Sequence, residues 1–157
     1  MLAGDAAFAE ITDEQTAWLP DVVAYEPGEF YRRELPALRA VLTGVTGFGQ
    51  LIIDGYVDLD ATGRPGLGAH AHVEFGVPVI GVAKTAFHTA THAIPVLRGH
   101  SARPLYVTAV GLPLADAADQ VRAMTGQFRL PDALRRADAL GRSGQRDSVL
   151  SWRQSTM

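Results

Sequence analysis

Asp54 and Lys84 are the residues whose positions in this chain most clearly suggest chemistry. Asp54 directly follows the apolar run Leu51-Ile52-Ile53, and Lys84 comes just after an apolar run over residues 77–82. Short continuous apolar runs are typical of strands buried on both faces of a parallel sheet. Ligands bind at the carboxyl ends of such strands, so we expect this carboxylate and this ammonium group to meet at one site.

Glu34 is a second carboxylate that can join this site, because it lies just ahead of a predicted helix start. Oxygen ligands of this kind suit Mg²⁺ or Mn²⁺, and such an ion activates water and neutralises phosphate charge. The pattern alone fits a plainer interpretation equally well, in which Glu34 and Lys84 are solvated surface charges.

The pattern around these residues predicts an α/β domain with a right-handed βαβ unit. The expected elements are a strand at about Thr12–Leu19, a helix with Leu35, Leu38, Val41 and Leu42 on one face and Pro36 in its first turn, strands at 51–53 and 77–82, a crossover helix over 68–75 that ends at Gly76, a hairpin of 93–97 and 105–110, a helix over 114–124, and a last helix from Pro131 to Gly141.

The composition narrows the class of protein. Of the 157 residues, 47% are hydrophobic and 20% charged, as in folded globular proteins. The start of the chain lacks the pattern of a secretion signal, and no apolar run reaches the roughly 18 residues of a spanning helix, so a cytoplasmic location is expected. The absence of cysteine excludes disulfides and thiolate metal sites. A net charge of -3 argues against binding nucleic acid mainly by neutralising phosphates, but bound divalent ions would offset it.

An ordered series of segments resembles the motifs of the endonuclease V family. The segments are Tyr25-Glu26-Pro27-Gly28, residues 30–38, Ile53-Asp54-Gly55, residues 67–72 and residues 78–84, and residues 130–138 resemble that family's last helix. Each segment alone is a weak signal, but five in order with suitable spacing are a strong one. The resemblance covers about residues 8–141. We therefore predict one domain over residues 1–141 and a disordered tail over residues 142–157.

This resemblance implies an RNase H-like mixed sheet flanked by helices. It also implies a Mg²⁺-dependent endonuclease, with Mn²⁺ as an alternative ion, that recognises inosine in DNA or RNA and cuts 3′ to the lesion during repair of deaminated purines. By the same resemblance, Glu34 and Asp54 are catalytic metal ligands, Asp138 is a further ligand, and Lys84 stabilises the scissile phosphate.

The resemblance also implies a nucleic-acid-binding surface. Tyr25, Pro27 and Gly28 would form a wedge that holds the strands apart, while the damaged base turns into a pocket near Gly55. Flipping is physically reasonable because a mispaired base costs least to unstack. Lys84 would contact the backbone of the same strand. No membrane is expected as a partner, and the complete domain is expected to be a monomer.

Two features depart from the family pattern. Asp60 stands where the family usually has a histidine, so the second metal or the base pocket is expected to differ from the family pattern. Counting back without gaps from Tyr25 puts Asp5 in the turn between the family's second and third strands. The first strand and its essential aspartate are then missing from the chain, so we expect an N-terminally truncated domain that cuts poorly.

Two other functions remain open. One is a non-catalytic nucleic-acid-binding protein that lost the first-strand aspartate. The other is an unrelated α/β hydrolase that uses Asp54 and Lys84, although the wedge motif argues against it. Four arginines near the last helix are expected to be solvated rather than functional, namely Arg129, Arg135, Arg136 and Arg142.

Overall fold

The computed structural model describes residues 1–21, 24 and 26–154, without the side chains of residues 144–154. Its elements in chain order are β1 (Leu2–Gly4), β2 (Ile11–Glu14), α1 (Phe30–Leu42), β3 (Leu51–Asp54), α2 (Leu67–Phe75), β4 (Val79–Ala83), β5 (Ile94–Val96), β6 (Leu105–Val110), α3 (Leu114–Ala123) and α4 (Asp132–Gln154).

The main sheet has the strand order β3-β4-β6-β5. Strands β3 and β4 are parallel, and Asp54 lies opposite Val82. Strand β6 runs antiparallel to both β4 and β5. The predicted βαβ unit and hairpin are therefore confirmed. The crossover helix α2 ends as predicted at Gly76, whose φ of 68° is a left-handed conformation that favours glycine.

Helices cover both faces of this sheet. One apolar cluster, beneath α1 and α2, contains Leu35, Ile53, Val57, Leu67, Ala71 and Val79. The cluster on the other face, beneath α3 and α4, contains Ile80, Val82, Val107, Val121 and Ala133 among others. Ile80 and Val82 of β4 belong to one cluster and Val79 to the other, because successive side chains of a strand point to opposite faces. This burial on both faces explains the continuous apolar runs and confirms the mixed α/β sheet flanked by helices.

The hairpin β1–β2 forms a separate two-stranded sheet. Asp5 lies in its turn, as predicted, where its Oδ1 atom accepts a hydrogen bond of 3.0 Å from the Glu10 amide. The strand predicted at Thr12–Leu19 is wrong in extent, since β2 ends at Glu14. The Gln15 amide still donates to the Met1 carbonyl at 3.0 Å, one residue beyond the end of β2.

Two helix boundaries also differ from the predictions. Helix α1 begins at Phe30, so Glu34 lies inside the helix and Pro36 lies beyond its first turn. Proline cannot donate to the Arg32 carbonyl one turn earlier, yet the helix continues. The predicted end at Gly141 is wrong, because a single interior glycine costs only about 1 kcal/mol and α4 runs on to Gln154. The predicted tail is thus helical as far as Gln154, and residues 155–157 lie outside the described residues.

None of the helices in the described part of the chain is both long and apolar enough to cross a membrane.

Candidate active site

Asp54 and Lys84 meet at the carboxyl ends of the parallel strands. Asp54 is the last residue of β3, and Lys84 follows the last residue of β4. The Lys84 Nζ atom lies 2.6 Å from Asp54 Oδ2 and 2.8 Å from Asp138 Oδ2 of α4. One ammonium group therefore joins the carboxylate of a strand to the carboxylate of a helix. Asp138 lies 54 residues after Lys84 in the sequence.

The charge of Lys84 is stabilised by these carboxylates. Partial burial of the ammonium group acts to lower its pKa, but hydrogen bonds and charge interactions with Asp138 and Asp54 outweigh burial and raise the pKa. Lys84 is therefore a cation throughout the neutral pH range. Its side chain is 36% exposed, so an incoming phosphate can reach the ammonium group.

Glu34 reaches the same region from α1. Burial raises the pKa of its carboxyl group, the Arg33 guanidinium at 3.6 Å opposes this rise, and the negative charge of Asp54 adds to it. The negative charge of Asp54 thus acts on Glu34, although it contributes less than burial does. A cation bound between them would relieve this repulsion.

The donor atoms at this site suit a hard divalent cation, because the candidate ligands Glu34, Asp54 and Asp138 offer only carboxylate oxygens. Mg²⁺ commonly binds through one or two carboxylates and keeps several of its waters, so two of these side chains would be sufficient ligands. Within the described ranges, however, no group of three or more acidic or histidine side chains is arranged to hold a metal ion. Asp54 and Asp138 are instead paired with Lys84.

Arg129 holds the backbone beside this site, which its sequence position did not suggest. Its Nη2 atom donates to the carbonyl oxygens of Lys84 and of Pro104, the latter at 2.9 Å. The expectation that Arg129 is merely solvated is therefore wrong. The guanidinium joins the end of β4 to the start of β6 and to the segment before α4. No local pattern carries this information, because the partners lie 45 and 25 residues away in the chain.

The loop after β3 is fixed by hydrogen bonds to its surroundings. Gly55 has a φ of 145°, which side chains of L-residues rarely allow. The Tyr56 hydroxyl donates to the Thr85 carbonyl at 2.7 Å and accepts from the Phe87 amide at 3.0 Å. The buried Val57 amide donates to Thr108 Oγ1 at 2.8 Å. Gly55 could be singled out from its place after Asp54, whereas no sequence pattern marked Tyr56, which ties the loops after β3 and β4 together.

Asp60 organises its own turn. Its Oδ1 atom accepts hydrogen bonds from the Thr62 amide at 2.9 Å, the Thr62 hydroxyl at 2.7 Å and the Arg64 amide at 3.1 Å. The Thr62 hydroxyl contributes most to lowering the pKa of this carboxyl group. A carboxylate with three donors from its own loop has a local structural role, which accounts for an aspartate at this position.

Pro27 and Gly28 form a tight turn just before α1. The Glu29 amide donates to the Glu26 carbonyl at 3.0 Å, and Gly28 has a φ of 83°. Proline at the second position and glycine at the third are the residues that a type II turn requires. Tyr25, the other residue of the predicted wedge, lies outside the described residues.

The layered fold and the carboxylates at the carboxyl ends of its parallel strands define an RNase H-like nuclease domain. The sequence model of the endonuclease V family matches residues 2–107, which is well over half of the chain. The chain belongs to the endonuclease V family, a family of nucleases that hydrolyse phosphodiester bonds.

Individual relatives agree with this assignment. An endonuclease V of Streptomyces coelicolor is 34% identical over 92% of this chain and 71% of its own length. The crystal structure of a Streptomyces avermitilis endonuclease V superposes with a TM-score of 0.66 and 29% identity, over 80% of this chain and 64% of that chain. A Ciona intestinalis endonuclease V, solved with DNA that contains inosine, has the same fold, with a TM-score of 0.67 and 19% identity over 80% of this chain and 68% of that chain.

Proposed function

We propose that this chain is an endonuclease domain that cuts DNA or RNA strands 3′ to an inosine, in the repair of deaminated purines. The observation that carries the proposal is the junction of Asp54, Lys84 and Asp138 at the carboxyl edge of a parallel strand pair, in a member of the endonuclease V family. The Ciona relative bound to inosine-containing DNA supports the choice of substrate.

Mg²⁺, with Mn²⁺ as the alternative, is the proposed cofactor. Glu34 and Asp54 would hold the ion, and Asp138 would be a further ligand or would orient a coordinated water. The ion would supply positive charge to the phosphate and would lower the pKa of the attacking water. The oxygen donors of these three carboxylates support this choice, because hard divalent cations such as Mg²⁺ prefer oxygen ligands.

Lys84 has two tasks in the proposed mechanism. Without substrate, its ammonium group neutralises Asp54 and Asp138. With substrate, it donates to a non-bridging oxygen of the scissile phosphate and stabilises the charge that develops there. Moving the ammonium group toward the phosphate would leave Asp54 and Asp138 available as the residues that hold the ion. Arg129 keeps the Lys84 backbone in place during this exchange.

The strand would be gripped on both sides of the cut. The turn at Pro27 and Gly28, with Tyr25, is the proposed wedge, and the backbone at Gly55 is the proposed wall of the base pocket. Gly55 suits a pocket wall because a backbone without a side chain allows a flipped base to approach closely. A monomer in the cytoplasm remains our prediction for the setting in which this domain works.

A cleavage assay tests the proposal. The substrates are labelled oligonucleotides with one inosine, in DNA and RNA versions, and matched strands with guanosine instead. We expect Mg²⁺-dependent cutting of the inosine strands alone, lost on chelation and in Asp54→Asn. The control is Asp119→Asn, since the Asp119 side chain is 74% exposed on α3, away from the site. Cutting that survives in Asp54→Asn would overturn the assignment of the site.

A second candidate function is a binding protein without catalysis. It is favoured by the finding that the described residues provide no group of three acidic or histidine side chains arranged for a metal. The same oligonucleotides distinguish the two functions. Selective binding of the inosine strand without cutting, at any Mg²⁺ or Mn²⁺ concentration, would favour the binding protein over the nuclease.

A further inference from the structure

Phe128 is a large apolar residue that remains 53% exposed in the segment between α3 and α4. A single exposed apolar residue is common on protein surfaces and by itself indicates nothing. The surroundings of Phe128 are unusual in three respects. Its backbone is held firmly, a cation lies over its ring, and the candidate active site is close by.

Arg98 holds the backbone of this segment. Arg98 is only 6% exposed, and its guanidinium group reaches into the segment. The carbonyl oxygens that accept its hydrogen bonds belong to Met124, Gly126, Phe128 and Arg129. Gly99 packs so closely here that a Cβ atom on it would lie 2.5 Å from the Gln127 carbonyl oxygen. Hydrogen bonds from a charged donor are strong, so the fold fixes the point from which the Phe128 ring projects.

Arg135 provides the cation over the ring. Its guanidinium carbon lies 4.8 Å from the centre of the Phe128 ring, within the range of a cation–π interaction. The Arg135 side chain is 50% exposed, and its contact with the Asp132 carboxylate is long, at 3.5 Å. The pair thus presents an aromatic face and a charged donor to solvent, side by side. A nucleotide uses both groups, because its base stacks on aromatic rings and its phosphate accepts from guanidinium groups.

This pair lies beside the candidate active site. Arg135 and Asp138 are three residues apart on α4, so their Cβ atoms are about 5–6 Å apart on one face of the helix. Asp138 contacts the Lys84 ammonium group at 2.8 Å, and Arg129, next to Phe128, donates to the Lys84 carbonyl. Stacked nucleotides rise about 3.4 Å each along a strand, so a strand with a phosphate at Lys84 can reach Phe128 within about four nucleotides.

We propose that Phe128 and Arg135 form a stacking subsite for one unpaired nucleotide of the strand that occupies the candidate active site. The base stacks on the Phe128 ring, and the Arg135 guanidinium donates to the adjacent phosphate. Every base has a flat π-face, so this subsite distinguishes neither sequence nor lesion. It holds the strand near the cut, whereas recognition of inosine belongs to the proposed wedge and base pocket. The inference rests on the proposed function only in that this chain binds a nucleic-acid strand.

The first test measures binding of a plain strand. The probe is a fluorescein-labelled single strand of nine thymidines without inosine, followed by anisotropy in the presence of a chelator. Phe128→Ala and Phe128→Leu should each weaken binding by about tenfold, because neither retains an aromatic face, and Phe128→Tyr should retain it. Val73→Ala, at a residue that is 84% exposed on α2, is the control and should bind normally. No binding by the unmodified chain, or equal binding by Phe128→Leu, would overturn the proposal.

A second test locates the stacked base. The strands contain one inosine and a single abasic site, which is moved through the four nucleotides on either side of the inosine. One abasic position should weaken binding to the unmodified chain and cause no further loss in Phe128→Ala, because the same contact is already absent. If the dependence on position is the same in both proteins, no base stacks on this ring.

A third test concerns the phosphate contact of Arg135. The logarithm of the binding constant falls with the logarithm of the salt concentration, by about 0.7 for each phosphate contact on a single strand. Arg135→Gln should reduce this slope by about that amount. Arg136→Gln is the matched control on the same helix, because Arg136 pairs with Glu14 of β2, and its slope should not change. Equal slopes in Arg135→Gln and the unmodified chain would contradict the phosphate contact.

The subsite and the proposed function can fail separately. Binding that depends on Phe128, without any cutting of inosine strands, would support the subsite and contradict the nuclease. Cutting at inosine with unchanged strand binding in Phe128→Ala would support the nuclease and contradict the subsite. A dimer that Phe128→Ala dissociates while strand binding stays the same would show that a second copy covers the ring instead. Circular dichroism establishes that the variants are folded, and Arg135→Gln decides the question if the Phe128 variants are not.

Discussion

The two edges of β3 have very different surroundings. Toward β4 the backbone is paired along the whole strand, and the neighbouring residues are almost completely buried. Toward β1 there is a cavity of about 790 Å³ instead of a strand. Closely packed atoms cannot move aside without cost, whereas atoms beside a cavity can. Substitutions on the β4 side should therefore lower the free energy of unfolding, and substitutions on the cavity side should change it little.

The largest effect is expected from Gly81→Ala, on the packed side. A Cβ atom at Gly81 would lie 2.6 Å from the Gly55 carbonyl oxygen and 2.7 Å from Thr108 Oγ1. Neither atom can retreat easily, because Thr108 Oγ1 is fixed by the buried Val57 amide. Overpacking of this kind costs about 1–3 kcal/mol, and we expect the upper part of this range in the free energy of unfolding, measured by urea denaturation.

Gly49→Ala is the matched control on the cavity side. A Cβ atom at Gly49 would have no neighbouring atom within 4 Å, and Gly49 lines the cavity. Its free energy of unfolding should change by less than about 0.5 kcal/mol. Similar losses in the two variants would mean that the two edges of β3 do not differ in packing.

The next effect concerns Arg129, which acts on Lys84 from the packed side. Arg129→Ala leaves the Lys84 and Pro104 carbonyls without their charged donor, so the Lys84 backbone gains freedom. Since a hydrogen bond to a charged group contributes about 1.5–3 kcal/mol, the turnover rate for inosine-containing strands should fall by about tenfold or more. The KM should change much less, because the Arg129 guanidinium is engaged by the Lys84 and Pro104 carbonyls of its own chain.

Arg129→Lys sharpens this prediction, because a lysine retains a charged donor and should restore part of the turnover. Arg103→Ala, which removes an exposed guanidinium near the same strand end, is the control and should leave turnover unchanged. A loss in KM alone would instead identify Arg129 as a contact of the nucleic acid.

A smaller effect is expected from Glu34→Gln. Burial raises the pKa of Glu34 and the charge of Asp54 adds to the rise, so the ionised carboxylate costs stability at pH values above its folded pKa. That cost disappears as the pH falls through the folded pKa. Without divalent ions, the glutamine variant should therefore be more stable at neutral pH. The gain should be only a few tenths of a kcal/mol, because the side chain is 35% exposed and screened by water.

Mg²⁺ should reverse this order, since a ligand that binds the folded chain stabilises it and Glu34 is a proposed ligand. Thermal melting in chelator and in Mg²⁺, at neutral and at acidic pH, measures both effects. Exposed Glu10→Gln is the control and should respond to neither condition. If Mg²⁺ raised the melting temperature of Glu34→Gln as much as that of the unmodified chain, Glu34 would not be a ligand.

Sequence patterns predicted the parts of this molecule that depend on neighbours along the chain. The meeting of Asp54 and Lys84 follows from two apolar runs in parallel strands, and it is observed. Asp138 was suggested only by the family resemblance, because the sequence around a helix residue does not indicate which strand end that residue will contact. The contact between Arg129 and Lys84 was missed for the same reason: it depends on how the segment before α4 crosses the sheet.

Boundaries were the least predictable feature. The strand predicted over Thr12–Leu19 has a suitable composition, but the strand β2 exists only where it pairs with β1, which is as far as Glu14. Gly141 has the residue type of a helix stop, but a glycine ends a helix only if the next residues leave the helical path. In both cases the end of the element depends on what the neighbouring chain segments do, and the composition of the element itself does not show this.

The smallest effect is expected at Asp60, on the loop that follows the packed edge. Its pKa is lowered first by the Thr62 hydroxyl and then by the Arg64 amide, so the folded state favours the ionised carboxylate. The resulting stability is complete above the unfolded pKa of 3.8 and is lost as the pH falls through the lower folded value.

Asp60→Asn keeps an oxygen acceptor and should lower the melting temperature only slightly at neutral pH. Asp60→His, which cannot accept from both Thr62 and Arg64, should lower it more. Both differences should shrink when melting is repeated at pH values progressively below 3.8, as the unmodified carboxylate takes up a proton. A histidine variant that is as stable as the unmodified chain and cuts faster would show that this position belongs to the site rather than to the turn.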